Sequence, residues 1–340
     1  MALNSTYIKQ KGSGRFVIAY DLSYLKKVGQ STCGVGKYWS GAAQKNLWGL
    51  EVGLLSVIDI GNHTALHLDA IQTPSLQERK IKDIDLPDHY AQSILYAKEA
   101  LEKLSKYLVV DAYFAKKEFI DRILSQSNLA VITRLRCDAN CKYLYNGSGS
   151  KGRGAPKKYD GKIDWSNPDL THLKLCYQDE TVMVYDAIVY CMFLKRKIRI
   201  AFCQFLTHDF RVSSFKIYAC TDLILPALLI QQYYKARFQQ EFLIRDAKQF
   251  TGLQDCQARS VNKLEYHWNA ALTAINIAKF EHWLDKANTQ QKPFSMADVK
   301  TLYHNQLLIE RFFTIFPDAA ELTKNNPKIK ELYTFGSIAA

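Results

Sequence analysis

Tyr234, Arg237, Glu241 and Lys248 follow one another at intervals of three, four and seven residues. On an α-helix, where each residue turns about 100°, all four fall within an arc of roughly 60°. A carboxylate sharing a stripe with a guanidinium, an ammonium and a phenol suits a phosphodiester site. Glu241 can hold a cation while the other three grip phosphate oxygens. The same stripe also fits the solvated face of an amphipathic helix, with Phe238 and Phe242 off to one side as its core-facing edge. Two further acids have a telling context. The apolar, β-branched and aromatic run RFVIAY (15–20) leads into Asp21, and YLVV (107–110) leads into Asp111. Both runs read as buried strands. Open α/β sheets place their active sites at such carboxyl ends.

These residues need a scaffold, and the pattern along the chain supplies one. A basic, glycine-containing loop is expected over 26–45, after the first strand. Two strand-like runs, 50–60 and 63–71, then flank the turn pair Gly61-Asn62. Residues 93–108 have helical spacing, 116–124 read as a helix and 129–132 as a strand. From 135 to 222 the texture changes to a Gly-, Ser- and Lys-rich loop followed by β-type runs at 173–177, 181–193, 198–205 and 214–221. A single helix is expected over 227–248 and a second long one, containing Trp268, over 261–285. Ser295 and Asp298 have the spacing of a capping box that opens a last helix towards Phe313. The chain thus reads as a mixed α/β fold interrupted by a mostly antiparallel, β-rich insertion.

Composition narrows the class. With 340 residues, 48% of them hydrophobic and 23% charged, the chain can bury a good-sized core. The longest apolar run, 223–230, is short and contains Pro226, so no membrane partner is expected. The N-terminus has no apolar leader, and a cytoplasmic, nucleoid-associated protein is expected. A net charge of +12 points to a polyanionic partner. Of the eight cysteines only Cys137 and Cys141 lie close together, and without a second pair at zinc spacing buried free thiols are expected.

The Tyr-x2-Arg-x3-Glu-x6-Lys spacing resembles, in all four positions, the signature of a large group of bacterial insertion-sequence DDE transposases. AYDLSY (19–24) and VVDAYF (109–114) resemble the group's two aspartate segments, and TDL (221–223) with RFQQEFLIRDAKQFTGL (237–253) extends the similarity. The resemblance covers residues from about 15 to 285. It implies a ribonuclease-H-like mixed sheet flanked by helices, with the β-rich insertion ahead of the glutamate helix. It also implies cut-and-paste transposition on DNA, both transposon ends and target, with a homodimer on DNA as a further expectation. Asp21, Asp111 and Glu241 would be the catalytic and metal-holding acids, and Tyr234, Arg237 and Lys248 would hold DNA phosphates. The implied cofactor is Mg2+ or Mn2+, two ions. Carboxylates clamping two metals about 3.5–4 Å apart suit phosphodiester chemistry, and hard oxygen ligands suit these ions. Asp21 is the expected bridging ligand, with Asp111 and Glu241 each completing one metal.

The resemblance divides the chain into a tail (1–14), a first catalytic part (15–134), the insertion (135–222), a second catalytic part with the glutamate helix (223–290) and a C-terminal helical region (291–340). The fourteen residues before the first strand are too few for the helical DNA-reading region that members of the group carry there. Binding chiefly through backbone charge, with little sequence preference, is therefore expected. Some members stack a flipped base on a tryptophan from the strand before the glutamate helix. Here that stretch has only Phe215 and Tyr218. The loop 29–37 is no phosphate loop, because Ser31 and Tyr38 stand where Gly and Ser or Thr are needed. Lys26, Lys27 and Lys37 beside Asp21 are candidate DNA contacts, as are the basic loop 151–158 and Lys195, Arg196, Lys197 and Arg199. His267 is expected to pack or cap. The alternatives are another ribonuclease-H-like nuclease that cuts without strand transfer, and a truncated remnant that only binds DNA.

Overall fold

The computed structural model describes residues 2–147, 156–284, 294–316 and 326–338. Its first core strand, β1 (Phe16–Lys26), is buried on both faces over Val17–Tyr20, which is why its sequence is a continuous apolar run with no alternation. Ile18 and Tyr20 face one core, Val17 and Ala19 the other. The strand runs five residues past Asp21, because Leu22–Lys26 continue an antiparallel ladder with β3 (Lys45–Asp59). Between them β2 (Gly36–Ser40) forms a hairpin with β3 inside the stretch expected to be a basic loop. β4 (Thr64–Gln72) returns along β3.

Helices α2 (Leu76–Lys82), α3 (Leu86–Leu95) and α4 (Lys98–Glu102) carry the chain across to β5 (Tyr107–Val110). The stretch 93–108, expected to be helical, holds only the end of α3 and the short α4, and its last two residues open β5. The first of the three starts in a complete capping box between Ser75 and Glu78. α5 (Lys117–Gln126) then leads to β6 (Ala130–Leu135), and β5 pairs in parallel with both β1 and β6.

The β-rich stretch continues the same sheet. β7 (Cys141–Leu144), β8 (Tyr159–Lys162), β9 (Lys174–Gln178), β10 (Val182–Cys191), β11 (Arg196–Leu206) and β12 (Val212–Cys220) join through the antiparallel pairing of β12 with β6. The path runs β2-β3-β1-β5-β6-β12-β11-β10-β7-β8, with β4 on β3 and β9 on β10. Helices α3 and α5 cover one face of the core strands. The other is covered by α6 (Ala227–Ala236), α7 (Phe238–Phe250) and α8 (Val261–Leu284), the last burying Trp268. This large mixed sheet between helical layers is the expected ribonuclease-H-like arrangement.

Residues 2–11, expected to be a tail, form helix α1 (Ala2–Lys11). It is docked by Tyr7, which is fully buried against Phe280 and Trp283 of α8. A last long helix, α9 (Met296–Ile315), is capped by Ser295, whose hydroxyl accepts from the Asp298 N–H. Cys141, Cys191, Cys203 and Cys220 are buried as expected; Cys33, Cys137 and Cys176 are exposed.

Candidate active site

The parallel ladder between β1 and β5 ends at the pair Tyr20 and Val110, and the next residue on each strand is an aspartate. Asp21 and Asp111 are thus brought side by side by register alone. Asp111 starts the 3-10 turn Ala112–Phe114 and accepts from the Ala112 N–H at 2.6 Å. This turn, a direct consequence of an Asp where the strand stops, fixes its carboxylate. Asp21 still belongs to a strand, opposite Leu54 of β3.

The third acid arrives on α7, and one buried amide sets its position. Gln240, fully buried, donates from Nε2 to the Leu54 carbonyl at 2.6 Å, so α7 is pinned to the register partner of Asp21. Glu241 follows immediately. The helix expected over 227–248 is broken into α6 and α7 at Arg237, where the bonds tighten to the i→i+3 type: Arg237 donates to Tyr234 and Gln240 to Arg237.

Arg237 is the centre of the site. Its Nη1 donates to Asp21 Oδ2 at 2.5 Å and its Nη2 to Glu241 Oε1 at 2.8 Å, with only 13% of the side chain exposed. Tyr234 donates to Asp111 Oδ1 at 3.2 Å, and the Arg237 guanidinium lies 5.8 Å from its ring centre. Lys248 donates to the Tyr24 carbonyl at 3.2 Å. The four-residue stripe is therefore no solvated face. Tyr234 and Arg237 grip the acids themselves, and Lys248 lines the open cleft that Asp21, Asp111 and Glu241 also line.

The electrostatics follow from this crowding. Burial pushes the Asp21 carboxyl up to about 6; Arg237 and the Leu22 N–H pull it back, and the charges of Asp111 and Glu241 push it up again. Burial also lowers Lys248 and raises Tyr234, the latter with help from Asp111. Burial works against the charge of Arg237, but its acidic neighbours leave it raised. Among the described residues, no group of three His, Cys, Asp or Glu side chains is gathered to hold a metal ion. The donor set nonetheless fits a hard divalent cation. It is made of carboxylate oxygens, those of Asp111 and Glu241 destabilising the charge of Asp21, and a guanidinium supplies the positive charge between Asp21 and Glu241.

The other candidate contacts divide. Lys26 and Lys37 are exposed and line the cleft, whereas Lys27 is tied down, donating to the Cys256 carbonyl at 2.6 Å. Arg196 pairs with Asp121, and Arg199 pairs with Asp186 and donates to the carbonyls of Leu223 and Ile224, so both are structural. Residues 151–155 of the basic loop lie outside the described residues, and Lys157 pairs with Asp160 at 2.9 Å. Tyr218 is buried against Tyr234 and Phe215 packs on Phe202, so neither is free to receive a base. His267 faces the Gly252 carbonyl at 2.8 Å, closing the loop after α7. The reading of the sequence missed the cleft-lining Trp39, Trp48 and Arg245. The hairpin face was legible in principle as a two-residue period, with Lys37 and Trp39 exposed about the buried Tyr38, and Asn46 and Trp48 exposed about the half-buried Leu47.

The family model described as the transposase DDE domain matches residues 76–277, more than half of the chain. The match contains Asp111, Tyr234, Arg237, Glu241 and Lys248, while Asp21 precedes it. No match was found among curated proteins.

Proposed function

Because the chain belongs to the transposase DDE domain family, we propose that it cleaves DNA strands and joins them in cut-and-paste transposition, as a member of the Tyr-Arg-Glu-Lys group of bacterial insertion sequences. Asp21, Asp111 and Glu241 are the catalytic acids and would hold two divalent ions, Mg2+ or Mn2+. Ions bound there would activate the attacking hydroxyl and neutralise the charge growing on the scissile phosphate. The observation that carries this reading is the convergence of the three acids, from β1, β5 and α7, on one cleft, with Arg237 bridging two of them.

The chain's own residues have separate tasks. Tyr234 orients the Asp111 carboxylate through its hydroxyl, and Gln240 sets the depth of the glutamate helix. Arg237 holds Asp21 and Glu241 ready and can turn a guanidinium edge to a phosphate oxygen once their charge is otherwise balanced. Lys248 and the exposed Lys26 and Lys37 give the cleft wall a positive charge for the DNA backbone.

The test is cleavage of duplex DNA carrying the element's ends, in Mg2+ or Mn2+. Asp21→Asn, Asp111→Asn and Glu241→Gln should each abolish both cleavage and strand transfer while duplex binding persists. Full cleavage by any of the three overturns the assignment. Cleavage by the unaltered protein without joined products would instead favour a nuclease that does not transfer strands.

A further inference from the structure

The β2–β3 hairpin places two tryptophans in the cleft with no work for them in the core. Residues directly opposite in an antiparallel pair share a face, as do residues two apart along a strand. Lys37 is opposite Trp48 and Trp39 is opposite Asn46. One face of the hairpin therefore carries Lys37, Trp39, Asn46 and Trp48, all exposed, while Tyr38 is buried on the other. Trp39 is 55% and Trp48 45% exposed, though a tryptophan side chain is ordinarily among the most deeply buried. The chain's other three tryptophans, Trp165, Trp268 and Trp283, are all buried.

This face belongs to the same cleft as the acids. Asp21, Asp111 and Glu241 line it together with all four hairpin residues. Hydrogen bonds through Tyr24 connect the hairpin to the glutamate helix. The Tyr24 hydroxyl donates to the Trp48 carbonyl at 2.6 Å, and the Tyr24 carbonyl accepts from Lys248 of the glutamate helix. Gly49 makes the close approach possible: a Cβ there would meet the Leu25 carbonyl at 2.5 Å and the Tyr24 ring at 2.6 Å. Aromatic faces flanked by ammonium groups take up unpaired nucleotides, the rings stacking on bases and the cations following the backbone. A base inside a duplex is already stacked on both sides and offers no free face to such a ring.

We propose that Trp39 and Trp48 form a stacking platform for unpaired bases of the DNA strand next to the scissile phosphate, with Lys37 on that strand's backbone. The proposal rests on the DNA-cleaving reading of the cleft and adds to it a preference for ends that are frayed or single-stranded.

Equilibrium binding of the full chain to three oligonucleotide duplexes tests it. One is blunt, one carries a short single-stranded overhang, and one carries the same overhang without bases. The unaltered protein should bind the overhang at least about tenfold more tightly than the blunt or the abasic duplex. Its tryptophan emission should be quenched on binding, since the two exposed indoles are the ones in reach. The double variant Trp39→Ala/Trp48→Ala should lose the preference yet bind blunt duplex as before, and Trp39→Phe/Trp48→Phe should restore part of it. Equal binding of all three duplexes by the unaltered protein overturns the platform and leaves the cleavage reading intact. So does a preference that survives in the double alanine variant. Failure to bind any duplex overturns both. The phenylalanine pair retains aromatic packing, so loss of preference in the alanine variant with recovery in the phenylalanine one cannot come from misfolding.

Discussion

Arg237 donates to Asp21 at 2.5 Å from the point where the glutamate helix tightens, and the same guanidinium holds Glu241 at 2.8 Å. One cation thus links a strand acid to a helix acid in a place where burial alone would push Asp21 well above the ordinary carboxylate range. A divalent ion held by the acids, as proposed, would compete with that guanidinium for the same oxygens.

This competition predicts opposite effects on metal binding and catalysis. Arg237→Ala should bind Mn2+ more tightly than the unaltered protein, by roughly tenfold, equivalent to about 1.4 kcal/mol. Its DNA cleavage should nevertheless fall. Without metal it should melt at a lower temperature, because removing one partner leaves Asp21 with an uncompensated charge. Calorimetric titration and melting curves with and without Mn2+ read both effects. Unchanged or weaker Mn2+ binding would show that Arg237 does not stand in for the ion.

Tyr234→Phe removes a single hydroxyl from Asp111 and leaves the ring on Tyr218 and Arg237. The stability change should be small, about 1 kcal/mol. Turnover should fall more than DNA affinity, since the hydroxyl orients an acid and does not line the cleft. A variant whose loss lies wholly in DNA affinity would return Tyr234 to the role of a phosphate contact.

Much of this site was legible because its signals are local. The apolar runs before Asp21 and Asp111 are buried on both faces, so strand and acid could be read together, and the Tyr-Arg-Glu-Lys intervals set one helix face. What the spacing could not convey is direction: whether that face looks to solvent, to DNA or back onto the acids. It looks onto the acids, because Gln240 fixes α7 against Leu54 across a large sequence separation. The hairpin of β2 was hidden for another reason. Its glycines, lysines and serines read as loop, and its alternation is only five residues long. Helix α1 was missed because its burial hangs on Tyr7 and on Asn4, whose amide donates to the His67 carbonyl. Ten residues with so little apolar content look unfoldable until α8 provides the other half of the contact.

That docking can be measured directly. Tyr7→Ala should cost roughly 3 kcal/mol or more, as for other large buried aromatics. Tyr7→Phe should cost much less, since the packing on Phe280 and Trp283 survives and only the hydroxyl that accepts from Asn62 is lost. Denaturant titration at neutral pH distinguishes them. Equal stability of Tyr7→Ala and the unaltered chain would mean that α1 does not rest on α8 in solution.

Acid should attack the same region. His67 on β4 is buried, with Nε2 2.9 Å from Asn269 Oδ1, and burial lowers its pKa from 6.5 to about 4, with the Asn269 bond opposing. Between these values the unfolded chain binds a proton that the folded one refuses. Stability from the neutral ring is full above pH 6.5 and is lost as the pH falls through about 4. The loss should be on the order of 3 kcal/mol. His67→Gln keeps an amide donor without the titration, so its stability should fall less between pH 7 and pH 4.5. Parallel pH dependence of the two proteins would assign the acid sensitivity to other groups.

The lysines around the cleft give the last prediction, and they differ in a way that composition cannot reveal. Lys26 and Lys37 are exposed on the cleft wall, and Lys248 reaches it from the glutamate helix. Lys27, next in sequence to Lys26, has its ammonium committed to the Cys256 carbonyl. Each ammonium on a duplex phosphate contributes about 0.9 to the slope of log affinity against log salt. Lys26→Ala and Lys37→Ala should each flatten that slope by nearly one, with a matching loss of affinity at low salt, and Lys248→Ala by less, since its ammonium lines the cleft but is also held by the Tyr24 carbonyl. Lys27→Ala should leave the slope alone and instead lower the melting temperature, because the loop around Cys256 loses its tie to the end of β1. A slope that drops for Lys27→Ala as much as for Lys26→Ala would mean that the DNA path follows local charge density and does not follow the cleft.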